Sequence, residues 1–257
     1  MGDFLATKHT HERDQFIVFD EGPHIYTVKG DDNYTSVTTL VHAHFEEFDA
    51  DKIITKMMAS RNWIISKYFD MTPDEIKASW EANRDQAAAA GTKMHYDIEC
   101  YYNDMDVKND SIEYSYFKKF RDDFAHLKPF RTEWMVWDED LKLAGSVDMI
   151  FENPNGTLTI YDWKRCKEIK KKNKWQSSTT KCLKHLPDTN FWHYSLQLNI
   201  YKYLLEKNYN RKIEGLYLVC MHPNNKNGSY IRLEVKDMHK EVMDIMDIRL
   251  KVVASSL

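Results

Sequence analysis

Leu143-Ala144-Gly145-Ser146-Val147-Asp148-Met149-Ile150-Phe151 and Leu158-Thr159-Ile160-Tyr161-Asp162-Trp163-Lys164 decide the fold. Both are apolar runs of strand length. Glu152-Asn153-Pro154-Asn155-Gly156 between them has the residues of a hairpin turn, so the runs are predicted to pair antiparallel. Each holds one acid among hydrophobic neighbours, Asp148 in the first and Asp162 in the second. Side chains two apart on a strand share a face, so Asp162 and Lys164 point together. Two carboxylates buried side by side are costly unless a cation offsets them. A divalent metal between them, with a lysine alongside, removes that cost and suits phosphodiester hydrolysis, in which a metal neutralises phosphate charge and lowers the pKa of attacking water. Hard oxygen ligands favour Mg²⁺ or Mn²⁺. Lys164 would hold the water or offset charge building on phosphorus. A surface hairpin with a cross-strand ion pair has the same local spacing, so this stretch alone leaves both readings open.

Around the pair, the chain alternates helical and strand patterns. His24 to Val28 reads as a short strand, and Ser36 as the cap of a helix starting at Val37. Asp51 to Tyr68 carries Ile53, Ile54, Met57, Met58, Trp63, Ile64 and Ile65 at helical spacing. Thr72-Pro73-Asp74-Glu75 is a helix start, predicted to run to about Ala90, where Gly91 breaks it and Thr92 caps a further helix to about Asn103. Ser111 to Leu127, Phe191 to Lys207 and Met238 to Val253 read as helices; Phe130 to Trp137, Leu216 to Met221 and Tyr230 to Val235 read as strands. The expected class is α+β: a small mixed sheet flanked by helices, with a helical N-terminal region. The whole of residues 1–257 is expected to be a single domain, with 1–90 as helical elaboration and 91–257 as the core.

Composition narrows the classes. At 257 residues and 42% hydrophobic, the chain can bury a substantial core. A formal net charge of -4 argues against a general nucleic-acid coat protein, although a local basic patch remains compatible with it. Cys100, Cys166, Cys182 and Cys220 are widely spaced with no C-x-x-C, so no zinc or iron–sulfur cluster is expected. Thiols of this kind, with a polar N-terminus and no long apolar run, lead to an expectation of an intracellular protein that does not engage a membrane.

Two further constellations bear on the acid pair. In Gly91-Thr92-Lys93-Met94-His95-Tyr96-Asp97-Ile98-Glu99, His95 and Glu99 are four apart and share a helix face. An imidazole there could add a ligand, with Glu99 orienting it or ligating in turn; an ordinary packed histidine is the alternative. In Tyr194-Ser195-Leu196-Gln197-Leu198-Asn199-Ile200-Tyr201, Tyr194, Gln197 and Tyr201 share a face suited to fixing a phosphate, water or base, or else simply pack in the core.

The order G-T-x-x-H-x-x-x-E, G-S-V-D, D-W-K, Q-L-x-x-Y resembles the RecB-like branch of the PD-(D/E)XK nuclease superfamily over about residues 24 to 205. His24-x-Tyr26 and Tyr34-Thr35-Ser36-Val37-Thr38 are similar to the N-terminal region of viral and mitochondrial genome-maintenance exonucleases in that branch. The resemblance implies an α/β/α restriction-endonuclease-like core. It makes His95, Asp148 and Asp162 metal ligands with the Trp163 backbone carbonyl, Lys164 the catalytic lysine, and Gln197 and Tyr201 supports of the site and the DNA. Glu133, on the preceding strand, takes the place of an acid with a supporting or second-metal role. Asp162 stands where many superfamily members have glutamate, and the four-cysteine iron–sulfur staple of some relatives is not matched.

From Lys164 to His185 lie nine basic residues, among them Arg165, Lys167, Lys170, Lys171, Lys172 and Lys174, against Glu168 alone. Beside an active site, such asymmetry suggests a phosphate-tracking loop, and Trp175 and Trp192 could stack on unpaired bases. A solvated lysine loop is the plain alternative. The expectation is therefore a Mg²⁺- or Mn²⁺-dependent DNA exonuclease acting on single-stranded ends or flaps in replication, repair or recombination. A structure-selective or RNA-cleaving endonuclease of the same fold, and a nucleic-acid-binding subunit that no longer cuts, are the rivals.

Overall fold

The hairpin forms where the sequence places it, and the rest of the sheet assembles around it. In the computed structural model, which describes residues 4–255, the first half of the chain runs α1 (Phe4–Lys8), β1 (Ile17–Asp20), β2 (Ile25–Val28), β3 (Thr35–Ser36), α2 (Val37–His42), α3 (Ala50–Met58), α4 (Pro73–Tyr102) and α5 (Ile112–Asp123). The second half runs β4 (Lys128–Asp138), β5 (Leu143–Glu152), β6 (Leu158–Lys164), α6 (Asn190–Asn208), β7 (Ile213–Cys220), β8 (Ile231–Glu234) and α7 (His239–Ser255). β1 and β2 form a separate antiparallel ribbon; the other six strands make one mixed sheet.

β4 pairs antiparallel with β5 along its length, from Lys128↔Glu152 to Asp138↔Leu143. The other edge of β5 is divided. β6 pairs antiparallel with it only from Glu152↔Leu158 to Met149↔Tyr161, and β3 runs parallel beside Leu143 and Ala144. β6 meanwhile stays paired in parallel with β7 through Lys164↔Cys220, and β8 lies antiparallel outside β7. The β5–β6 ladder thus stops one residue short of Asp148 and Asp162, and the sheet forks there.

Helices cover both faces, giving the α/β/α layering of the expected α+β class. On one face Leu196, Leu198, Leu204 and Leu205 of α6, with α2 and α7, pack on Leu143, Ile150, Ile160 and Leu218. On the other, Met94 and Ile98 of α4 and Phe117 and Phe120 of α5 pack on Met149, Phe151, Tyr161, Trp163 and Val219. Strand alternation sends Ile160 to the first core and Tyr161 and Trp163 to the second.

Residues up to 46, with those from 94 onward, form one compact unit, and residues 47–93 form another. The stretch 1–90, read from sequence as helical elaboration, therefore divides, and its first part brings the β1–β2 ribbon to the core unit. In residues 47–93, Ile54 and Ile76 are buried and the Trp80 indole N–H donates to the Tyr68 hydroxyl at 2.9 Å.

The helix starts are those the sequence signals. Ser36 Oγ accepts the Thr39 N–H at 3.0 Å, while Glu75 Oε2 accepts the Thr72 N–H at 2.7 Å and Thr72 Oγ1 the Glu75 N–H at 3.3 Å, a capping box. Two helices depart most from their expected bounds. Gly91 does not break its helix: α4 runs unbroken to Tyr102, because a single interior glycine costs only about 1 kcal/mol. The helix expected over Asp51 to Tyr68 ends at Met58, where the Ser60 hydroxyl accepts the Asn62 N–H at 3.2 Å and competes with the helical pattern. Ile64 and Ile65 are consequently exposed.

Asp138 ties the end of β4 to the end of α6. Its Oδ1 accepts the Leu141 N–H at 2.9 Å, and its Oδ2 accepts from Asn208 Nδ2 at 2.8 Å and Lys207 Nζ at 2.7 Å. Burial raises its pKa, but the hydrogen bonds from Asn208, Lys207 and Leu141 outweigh that and hold it below the ordinary 3.8. A depressed carboxyl stabilises fully above its unfolded pKa, and that contribution is lost as pH falls through the lower folded value. Asp138→Asn is therefore expected to cost about 1–3 kcal/mol at pH 7. The difference in urea midpoint from the parent should shrink below about pH 3.8.

Candidate active site

Where the ladder ends, the Trp163 N–H donates to Asp148 Oδ2 at 2.9 Å, so an amide on the β5 side of β6 is satisfied by a carboxylate instead of backbone. α4 brings His95 over this point, with Nδ1 3.5 Å from Asp148 Oδ2 and 3.8 Å from Glu133 Oε1. Donor atoms of His95, Glu133 and Asp148 all lie within 4.8 Å of one another. Glu133 sits on β4 between Thr132, opposite Met149, and Trp134, opposite Val147, which sets it across from Asp148. Its backbone is left-handed, φ 41°, a conformation that costs an L residue free energy. Ser146 Oγ donates to its Oε2 at 2.7 Å and fixes the carboxylate.

Asp162 is 1% exposed, and Lys164 Nζ lies 2.7 Å from its Oδ2. This is an ion-pair contact, and neither carboxylate oxygen receives a well-directed hydrogen bond among the described residues. Lys164 Nζ also stands 3.5 Å from Gln197 Oε1 and 4.7 Å from the Tyr194 ring centre. Gln197 Nε2 reaches the Tyr201 hydroxyl at a long 3.4 Å. The helical spacing of Tyr194, Gln197 and Tyr201 thus puts all three beside the lysine or behind it.

The electrostatics favour an added cation. Burial lowers the pKa of His95, but Asp148 and Glu133 overcome it and draw it up to about 9. Burial raises Asp148, with His95 opposing. Burial likewise pushes Asp162 up to about 6 against the pull of Lys164. Burial opposes the charge on Lys164, yet Asp162 and Asp148 raise its pKa above the usual lysine value. Surplus carboxylate charge and a buried carboxylate lacking directed donors fit a divalent ion.

Not every expected site residue enters the donor group of His95, Glu133 and Asp148. Glu99 is one helical turn beyond His95 but is outside the three-residue donor group; Glu133 completes it. Asp162 is also outside that group, engaged with Lys164. The Trp163 side chain is buried in the aromatic core of the opposite face. Arg165 does not project toward solvent: its Nε lies 2.6 Å from Glu113 Oε1, and both side chains are largely buried. Tyr26 of β2 joins the site without having been assigned a role. Burial, then the charges of Glu133 and Asp148, push its hydroxyl pKa up, and it is in hydrogen-bonding reach of the Ser146 backbone. Its only sequence signal is the His24-x-Tyr26 pattern.

The basic stretch is an ordered loop. Asn173 Oδ1 accepts the N–H groups of Trp175 and Gln176 at 3.0 and 3.1 Å, and its Nδ2 donates to the Asp188 carbonyl at 2.9 Å. Asn190 Oδ1 accepts the Lys170 N–H, and the Trp192 indole N–H donates to the Lys171 carbonyl. Lys171 Nζ lies over the Phe191 ring, and Lys170 lies near Glu168. Lys167, Lys172 and Lys174 are exposed, and Trp175 is 92% exposed.

A mixed sheet that opens at two acids, with a lysine two residues past the second and helices on both faces, is the framework of a phosphodiester-cleaving nuclease. Residues 30–251 match the PD-(D/E)XK nuclease superfamily, and the chain belongs to it. Members of this superfamily are divalent-metal-dependent hydrolases. Among solved structures, the protein called SSO0001 is 12% identical, covering 97% of this chain and 82% of its own, with a TM-score of 0.38. A Eubacterium rectale protein named "Putative exonuclease" is 11% identical, covering 86% of this chain and 80% of its own, with a TM-score of 0.36. No curated protein sequence matches the chain.

Gly145 is required by close approach. A Cβ there would stand 2.8 Å from Tyr201 Cε1, 3.0 Å from its hydroxyl and 3.1 Å from Val37 Cγ2. Tyr201 is buried and cannot swing away. Gly145→Ala should cost about 1–3 kcal/mol by overpacking. The loss should appear as a lower urea midpoint, partly restored by the double substitution with Tyr201→Leu.

Proposed function

We propose that this chain is a Mg²⁺- or Mn²⁺-dependent DNA exonuclease of the RecB-like branch, acting inside cells on single-stranded ends or flaps during replication, repair or recombination. The observation that carries the reading is the convergence of His95, Glu133 and Asp148 beside the Asp162–Lys164 pair at the fork of the sheet. The motif order, similar to that of genome-maintenance exonucleases, supports end-directed cleavage. The exposed lysines and Trp175 support a single-stranded substrate.

His95, Asp148 and Glu133 would hold the cation, with Asp162 and the Trp163 carbonyl. When bound, it neutralises phosphate charge and lowers the pKa of water. Lys164, steadied by Asp162 and Gln197, presents its ammonium to the water or to charge developing on phosphorus. Tyr201 backs Gln197, and Tyr194 closes the other side of the lysine. Lys167, Lys172 and Lys174 attract the backbone, and Trp175 offers a face on which one unpaired base stacks for about 1–3 kcal/mol.

Lys164→Ala and Asp162→Ala should each abolish cleavage of end-labelled single-stranded oligonucleotides in Mg²⁺ while leaving the circular dichroism spectrum intact. Full activity in either variant refutes the assignment. Circular single-stranded DNA should be spared; rapid linearisation of circles would point to the endonuclease. A joint Lys172→Ala, Lys174→Ala and Trp175→Ala variant should bind DNA more weakly, with a shallower dependence of log affinity on log salt. An unchanged slope would place DNA binding elsewhere.

A further inference from the structure

Two thiols meet at the root of the basic loop. Cys166 lies two residues beyond Lys164, just past the end of β6, and Cys220 is the last residue of β7 and the register partner of Lys164. Their sulfurs are 3.7 Å apart. Both are free, Cys220 buried and Cys166 partly exposed. One side of this junction is anchored, since the Met221 N–H donates to the Lys164 carbonyl at 2.9 Å. A disulfide needs its sulfurs at about 2.05 Å. Cys166, already outside the sheet, can supply the movement while Cys220 stays fixed in β7.

We propose that Cys166 and Cys220 are a peroxide-oxidisable pair whose disulfide fastens the loop root to β7 and slows cleavage. In the first step the Cys166 thiolate forms an S–O bond as the O–O bond of hydrogen peroxide breaks, giving a sulfenic acid and hydroxide. In the second the Cys220 sulfur attacks the sulfenic sulfur; the S–S bond forms, the S–O bond breaks, and water leaves with the thiol proton. Counting the proton from the first thiol, two thiols are oxidised by two electrons and one peroxide becomes two waters. A thiol reductant reverses the linkage.

The crosslink affects cleavage through position. It joins the segment two residues after Lys164 to the residue paired with Lys164, and so restrains the strand end from which the lysine and Arg165 project. Arg165 is itself held by Glu113, so a shift of Cys166 strains a junction with little slack. The effect on cleavage rests on the nuclease reading; the linkage does not.

The test treats the full chain with hydrogen peroxide, alkylates the remaining thiols and maps the products by chymotryptic digestion and mass spectrometry. A peptide linking Cys166 to Cys220, with Cys100 and Cys182 alkylated and full reversal by dithiothreitol, is expected. The oxidised protein should cut labelled single-stranded DNA severalfold more slowly than the reduced protein. Cys166→Ser should keep the reduced rate and lose the response to peroxide. Linkage through Cys182, or Cys166 driven to sulfinic acid with Cys220 alkylated, overturns the pair. Linked protein that cuts at the reduced rate overturns the restraint. Protein that links but cuts nothing even when reduced refutes the nuclease reading and leaves the pair standing.

Discussion

One hydrogen bond sets the rest of the structure: the Trp163 amide given to the Asp148 carboxylate. An amide at the centre of a sheet must find an acceptor, and the neighbouring strand's carbonyl is the usual one. Here β6 gives it to a side chain, which lets β5 and β6 part without leaving a buried donor unsatisfied. β3 then takes up the far end of the vacated edge of β5. The interval between them, Gly145 to Asp148, is where α4 and α6 converge with His95, Gln197 and Tyr201. The fork and the site are one feature described from two sides.

Charge explains why the remaining residues stand as they do. Three acids around one opening would repel, and the protein answers each differently. Asp162 takes a lysine, Asp148 takes a backbone amide and a histidine, and Glu133 takes the Ser146 hydroxyl. These partners moderate the negative potential without cancelling it, which keeps His95 drawn toward its protonated form. Surplus negative potential of this kind suits a divalent cation held largely by oxygen donors.

Much of this was legible in the sequence because it is local. The hairpin, the D-x-K pair on one strand face and the i, i+4 placements of Gln197 and Tyr201 all follow from strand and helix periodicity. Less legible was whatever depends on contacts distant along the chain. Glu99 has the right helical spacing to His95, but the β4–β5 register brings Glu133, named only through the resemblance, into the donor group instead. Arg165 reads in sequence as one more positive charge, but Glu113, from a helix some fifty residues earlier, lies beside it. Tyr26 comes from a ribbon whose first strand, Ile17–Asp20, is too short to stand out as a pattern. Gly91 misled because a glycine's local cost is small beside the packing that carries a helix through it.

Glu133 also carries a conflict that bears on how this chain can change. Its left-handed backbone is one that glycine or asparagine adopts with ease, so drift toward those residues would relieve strand β4. Either replacement removes a carboxylate from the opening. Conformation and charge therefore pull in opposite directions at a single position: a residue that relaxes the strand also takes a carboxylate from beside His95 and Asp148.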